Sequence, residues 1–227
     1  YDLTTPNITS YSCFAFSPNG DGTKETTTID YTLSDNFSTV IKTTIKIYDL
    51  QNNLVRALID ATPKNTGANL DIWDGKNTNG VTVAEGIYKC KITAIDEAEN
   101  PKVYEDDIIV DITPPQISNG DITINSGVHP HPDIFTTSDK SVDISFDIFD
   151  KFSPSANMSF TFTSGSILFT KTGDFAILPN TVQNIVYLWY ATDDQGNPAN
   201  DGTYAVQLTV TDEAGNTGNL IAVQQDF

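Results

Sequence analysis

The chain carries one passage twice at a fixed spacing. Trp73, Gly80, Gly86, Tyr88, Asp96, Glu97, Ala98 and Asn100 recur as Trp189, Gly196, Gly202, Tyr204, Asp212, Glu213, Ala214 and Asn216, every pair 116 positions apart. Repetition at a domain-sized period means that one folding unit was duplicated, so the chain must fold as two similar bodies in series. Its 227 residues give each body roughly 110, enough for a core of its own. Two like modules in a row suit spacing, adhesion or assembly better than catalysis.

Inside each copy the apolar residues alternate with polar ones. Ile29, Tyr31 and Leu33 alternate with Asp30 and Thr32, as Ile144, Phe146 and Ile148 do with Ser145 and Asp147, which makes a strand with one face in a core. Further strands follow at Ile45–Ile47, Leu54–Leu58, Leu70–Trp73, Tyr88–Ala94 and Ile108–Val110. Their counterparts run through 158–162, 167–169, 185–189, 204–210 and 220–223. About seven short strands per module, separated by Asn, Asp, Gly and Pro turns, predict an all-β chain of two tandem antiparallel two-sheet sandwiches. Trp73 and Trp189 each end an apolar strand and are expected to plug a core. Tyr88 and Tyr204 follow a glycine by two residues and suit a tyrosine corner.

Asp111-Ile-Thr-Pro-Pro115 closes the first module, and its adjacent prolines cannot donate ladder hydrogen bonds, so it reads as a short, stiff, Pro-containing linker. The same words open the chain: Tyr1-Asp-Leu-Thr-Thr-Pro-Asn-Ile8 lines up with Val110 to Ile117. The expected division is a linker-like segment over 1–8, one module over 9–112 and a second over 113–227. The copied linker at the start implies either a piece of a longer array or a preceding module on another molecule.

A formal net charge of −18 repels phosphate backbones, so nucleic acid is excluded as a partner. It equally serves solubility, and it favours divalent cations, proteins or neutral glycans. No apolar stretch approaches 18 residues, so no membrane-inserting helix is expected. The two cysteines, Cys13 and Cys90, both fall in the first module. They read as one disulfide in an oxidising compartment or as two small buried hydrophobes in a reducing one, with the bridge favoured.

The stretch Ile45 to Leu58, then Trp73-Asp-Gly75, Gly80, Gly86-Ile-Tyr88 and Ala94-Ile-Asp96 to Asn100 resembles the immunoglobulin-like domain of flagellar hook-capping proteins, which recurs in bacterial surface and secreted proteins. Phe16-Ser-Pro-Asn-Gly-Asp-Gly22 is similar to the opening of many extracellular bacterial sandwich modules. The second module carries the resemblance from Trp189 onward, with Tyr190-Ala191 in place of Asp-Gly, and Glu99 stands where Gly215 keeps a glycine. The resemblance implies immunoglobulin-like sandwiches and an extracellular or cell-surface location; it says little about function.

Candidate sites are few. Asn19, Asp21, Thr23 and Glu25 place oxygens at alternate positions of a Gly-containing loop, as a calcium (Ca2+) loop does. An ordinary Asn-Gly and Asp-Gly turn accounts for the same residues. The Asp96–Asn100 and Asp212–Asn216 turns are expected at the end where each module receives the chain, so Asp111, Asp212 and Glu213 are candidates to share a cation at the joint; a solvated acidic turn is the plainer account. Asn7, Asn36 and Asn157 head glycosylation sequons that an Asn- and Thr-rich chain also produces by accident. His129 and His131 flank Pro130 without further ligands in sequence, and no nucleophile elbow or phosphate loop occurs, so no enzyme is expected.

These features predict a non-catalytic structural subunit of an extracellular bacterial filament or fibre. It would assemble end to end with copies of itself through Tyr1, Asp2, Leu3, Thr4, Thr5, Pro6 and Ile8. The alternative is a stalk, adhesive or carbohydrate-binding accessory module of a larger secreted protein, with glycans as partners.

Overall fold

A computed structural model describes residues 2–125, 141–164, 167–189 and 203–226. The chain divides into two units, Tyr1–Thr113 and Pro114–Phe227. Seven strands form the first: β1 (Asn7–Cys13), β2 (Thr27–Ser34), β3 (Val40–Tyr48), β4 (Leu54–Asn65), β5 (Gly67–Trp73), β6 (Gly86–Ile95) and β7 (Pro101–Val110). They make a three-stranded sheet, β1-β2-β5, and a four-stranded one, β4-β3-β6-β7, all neighbours antiparallel. The second unit has β8 (Gln116–Asn125), β9 (Ser141–Phe149), β10 (Ser155–Ser164), β11 (Ile167–Ala176), β12 (Gln183–Trp189), β13 (Thr203–Asp212) and β14 (Thr217–Asp226). Its sheets, β8-β9-β12 and β11-β10-β13-β14, repeat the first topology strand for strand.

Alternation produces the cores. Along β2 every second residue is buried, and Ile29, Tyr31 and Leu33 face Ile45, Ile47, Cys90, Ile92 and Ala94 of the opposite sheet in one cluster. In the second unit Phe146, Ile148, Phe160, Phe162, Leu208 and Val210 do the same. Both tryptophans are core plugs. Trp73 is fully buried, meets the rings of Phe16 and Tyr88 edge-on with centroids 5.4 Å away in each case, and donates its indole N–H to the Lys76 carbonyl at 3.1 Å. Trp189 instead stacks on Phe162 at 3.8 Å. After Trp73 the chain turns at Gly75, φ 68°, where a Cβ would come within 2.6 Å of Pro18, so both backbone and space demand glycine.

Two expectations need correction. Residues 1–8 are not a separate linker: Asn7 and Ile8 begin β1, and Ile8 lies in the core. The alternation is hidden there by a register shift between Thr9 and Ser12. No strand is expected ahead of Ile144 in the second module, yet β8 stands there and pairs with β9 through a shift between Ser118 and Asp121. His129 and His131 lie outside the described residues.

Truncating Trp73 to Ala is expected to cost about 3–5 kcal/mol, read from urea unfolding followed by circular dichroism. Ile72→Ala, on the outer face and 54% exposed, is expected to cost less than about 1 kcal/mol.

Candidate functional site

The loops at the N-terminal end of each module carry most of the repeated polar residues. The β6–β7 connection is a tight turn in which the Asp96 N–H donates to the Asn100 carbonyl at 3.3 Å and the Glu99 N–H to the Asp96 carbonyl at 3.2 Å. The Asp96 carboxylate, 1% exposed, accepts the Asn100 backbone N–H and its Nδ2, both at 2.8 Å. Asp212 accepts the same two donors of Asn216, each at 2.9 Å. Glu99 keeps the turn tight by adopting φ 67°, where Gly215 takes 92° without strain.

The β2–β3 connection carries a second repeat. Asp35 Oδ1 accepts the backbone N–H groups of Phe37 at 2.9 Å and Ser38 at 2.6 Å, as Asp150 Oδ1 accepts those of Phe152 at 2.9 Å and Ser153 at 2.7 Å. Ser38 Oγ accepts the Glu97 N–H at 3.2 Å and Ser153 Oγ the Glu213 N–H at 3.2 Å. In each module one serine therefore ties the two loops together.

Onto this pole in the first module comes the chain's opening segment. Asn100 Nδ2 donates to the carbonyls of Asp2 and Thr4 at 3.3 Å each, Asn36 Nδ2 donates to Thr4 Oγ1 at 3.3 Å, and Asp2 Oδ1 accepts the Thr4 N–H at 2.9 Å. Pro6 beyond them is buried.

Three carboxylates converge there. One oxygen from each of Asp2, Asp35 and Asp96 lies within 4.8 Å of the other two, a separation at which each pair of charges repels by roughly 3–4 kcal/mol at an effective dielectric of ~20. The Ser38 N–H, followed by that of Phe37, holds the Asp35 carboxyl below its ordinary 3.8. In the second module burial pushes the Asp212 carboxyl up, and the charge of Asp150 adds to the shift. Sequence reasoning missed Asp2, Asp35 and Asp150 as members of such a group. The signal was present in Asp35-x-Phe-Ser38 and Asp150-x-Phe-Ser153, one position off the main repeat.

The remaining candidates have hydrogen-bond partners of their own. In the Asn19–Glu25 loop the oxygens are turned on backbone donors: Asn19 Oδ1 accepts the Asp21 N–H, Asp21 Oδ1 the Thr23 N–H, and the two oxygens of Glu25 the N–H groups of Gly20 and Gly22. That is the geometry of a self-capped turn. Glu213 is exposed and accepts Ser155 Oγ at 3.3 Å, apart from the buried carboxylate of Asp212. Asp111 Oδ1 accepts the Thr113 N–H at 3.3 Å, as Asp2 does that of Thr4. Asn7, Asn36 and Asn157 are exposed; the amides of Asn36 and Asn157 are engaged with Thr4 and Asp174.

The expected disulfide is replaced by two free thiols, Cys13 on β1 and Cys90 on β6. Cys13 Sγ lies 2.7 Å from Tyr11 Oη, and its hydrogen bond with Cys90 and its burial hold the thiol far above the usual range. The tyrosine corner is present: Tyr88 Oη donates to the Ala84 carbonyl at 2.7 Å.

Comparison with known proteins agrees with this architecture. Residues 16–98 match the FlgD Ig-like domain and residues 156–226 a bacterial Ig-like domain. The chain is a tandem of two bacterial Ig-like domains, of the kind typical of surface and secreted proteins. No curated protein sequence matches it. Among solved structures, the FN1–FN3 domains of chicken CNTN1 match over 98% of this chain and 66% of theirs, with a TM-score of 0.55 at 8% identity, a likeness of fold alone. A tetra-tandem repeat from the extending region of a large adhesion protein is covered over 50% of its length and matches all of this chain (TM-score 0.33, 16% identity). Dimeric latent PorU from Porphyromonas gingivalis is covered over 20% (98% of this chain, TM-score 0.31, 16% identity).

Truncating Asp35 leaves the Ser38 and Phe37 N–H groups without their acceptor, and those donors are what lowers its carboxyl. Asp35→Ala is therefore expected to cost about 1 kcal/mol at pH 7 in chelator. Because the folded carboxyl titrates below 3.8, that contribution is in place above about pH 4 and is lost as pH falls through the folded value, where parent and variant converge. Without any reductant, both cysteines are expected to react with a maleimide once the chain is unfolded in urea; a mass unchanged by the reagent would contradict the thiol assignment.

Proposed function

We propose that the chain is a non-catalytic structural part of a bacterial surface or extracellular assembly, and that its modules join in series at the N-terminal pole, including to further copies of the chain. The observation that carries this reading is that the pole is built twice from the same bonds, while Asp2 to Pro6 lies docked on the first copy of it. Leu3 and Phe37 at this end are 76% and 73% exposed, leaving apolar surface for a neighbour to cover.

Joining at the pole fits better than addition of a strand to a sheet edge. β4, an edge strand, carries Arg56, Asp60, Pro63 and Lys64, and β7, another, carries Lys102, Glu105, Asp106 and Asp107; charge and proline are what blunts an edge against pairing. Ig-like families are generally non-catalytic. In the second reading the two modules are a stalk or glycan-binding accessory of a larger secreted protein.

Deletion of residues 2–6, which leaves β1 whole, is expected to give a chain with unchanged β-sheet circular dichroism that no longer associates end to end in sedimentation and electron microscopy. Association that survives the deletion would overturn the joint. A parent chain that stays monomeric at high concentration favours the stalk.

A further inference from the structure

We propose that the N-terminal pole of the first module is a calcium site whose protein ligands are Asp2, Asp35 and Asp96. The proposal deepens the reading of this pole as a joint by naming what closes it. Two oxygens bonded to one calcium at about 2.4 Å stand at most about 4.8 Å apart. One oxygen of each aspartate meets that limit with respect to the other two, so a single ion reaches all three segments: the opening segment, the β2–β3 loop and the β6–β7 turn.

Proximity of acidic groups is common on protein surfaces, and here the fate of the individual oxygens adds a separate observation. Asp35 spends Oδ1 on two backbone N–H groups and Asp2 spends Oδ1 on one. The Oδ2 atoms of both are shut off from solvent and accept no hydrogen bond. A carboxylate oxygen removed from water with no donor is costly, and such atoms are rare in native proteins unless an ion or water completes them. The lysine ion pairs of the described residues go to Glu99, Asp60, Asp71, Asp74, Asp107 and Glu105, and none of them to Asp2 or Asp35. A single cation from solution completes both oxygens at once.

The donor set selects the ion. Three carboxylates and no nitrogen or sulfur make a hard, all-oxygen site, which excludes zinc and copper preferences. Magnesium keeps several waters and takes one or two carboxylates, whereas calcium accepts six to eight oxygens in flexible geometry, with carboxylates binding through one or both oxygens. The second module repeats the arrangement within itself. Asp150 and Asp212 occupy the places of Asp35 and Asp96, are 4% and 5% exposed, and are capped by the same donors.

The consequence is mechanical as well as chemical. Two of the ligands belong to loops fixed by strands, and the third, Asp2, belongs to the segment that enters the module. Binding the ion therefore fastens that segment to the pole and removes the repulsion that opposes it in a chain of net charge −18.

The test uses the full chain, stripped with EGTA and titrated with calcium chloride by calorimetry, with thermal unfolding followed by circular dichroism. Calcium is expected to bind with measurable heat and raise the unfolding midpoint, and magnesium chloride at equal concentration to raise it less. Asp35→Asn keeps an oxygen for the Phe37 and Ser38 N–H groups and is expected to weaken calcium binding at this site more than about tenfold. Asp2→Asn, outside the strands, carries the same expectation should Asp35→Asn fail to fold. Asp21→Asn, in the self-capped turn, is expected to leave binding unchanged. Titration without heat or midpoint change, or binding lost in Asp21→Asn and kept in both other variants, overturns the site. Absence of calcium binding together with loss of association on deleting residues 2–6 overturns the site and leaves the joint standing; binding that depends on Asp35 with association indifferent to the deletion does the reverse.

Discussion

A buried carboxylate at the head of the β6–β7 hairpin constrains everything else at the N-terminal pole. Asp96 spends both oxygens on Asn100, one on its backbone N–H and one on its amide, and hydrogen bonds to a charged acceptor are worth about 1.5–3 kcal/mol each. The amide so fixed still has donor capacity, which it turns on the carbonyls of Asp2 and Thr4. One side chain thus sets the turn, and through Asn100 the turn sets where the chain enters. Asp212 and Asn216 recreate the first half of that relay in the second module.

The two modules differ where packing is tolerant and agree where the loops meet. Ile47 pairs with Cys90 in one sheet, while Phe162 pairs with Val206 at the same register in the other. The larger Phe162 then stacks on Trp189, whereas Trp73 is met edge-on by Phe16 and Tyr88. Cores accept such exchanges when volume and pattern are kept. At the pole, by contrast, the aspartates, the linking serine and the asparagine recur with the same donors and acceptors. A fold needs only that its loops be satisfied; keeping the same polar bonds twice in a chain whose cores have diverged points to a role for that end.

Much of this was legible from the residues. Two-residue alternation marked β2, β3, β6 and their counterparts because one face of each is fully buried, and the shared Trp, Tyr and Gly positions fixed two copies. β1 and β8 were hidden by register shifts that break the alternation. The acidic pole was only half legible. Asp96 and Asp212 lay in the main repeat, but Asp35 and Asp150 lie some 60 residues upstream, on the connections that cross from one sheet to the other, and reach the site only because the sheets stack. The Asn19–Glu25 loop shows the converse: oxygens spaced like a calcium loop serve their own backbone, and spacing alone does not say which partner they face.

The central claim is that this pole is a cation-closed point of attachment, built once in each module. Anomalous diffraction from crystals of the full chain grown with calcium tests it most directly. The account predicts a peak about 2.3–2.6 Å from an oxygen of each of Asp2, Asp35 and Asp96, and a second peak against Asp150 and Asp212. Well-ordered aspartates with no anomalous peak between them, or a peak confined to the Asn19–Glu25 turn, would contradict it.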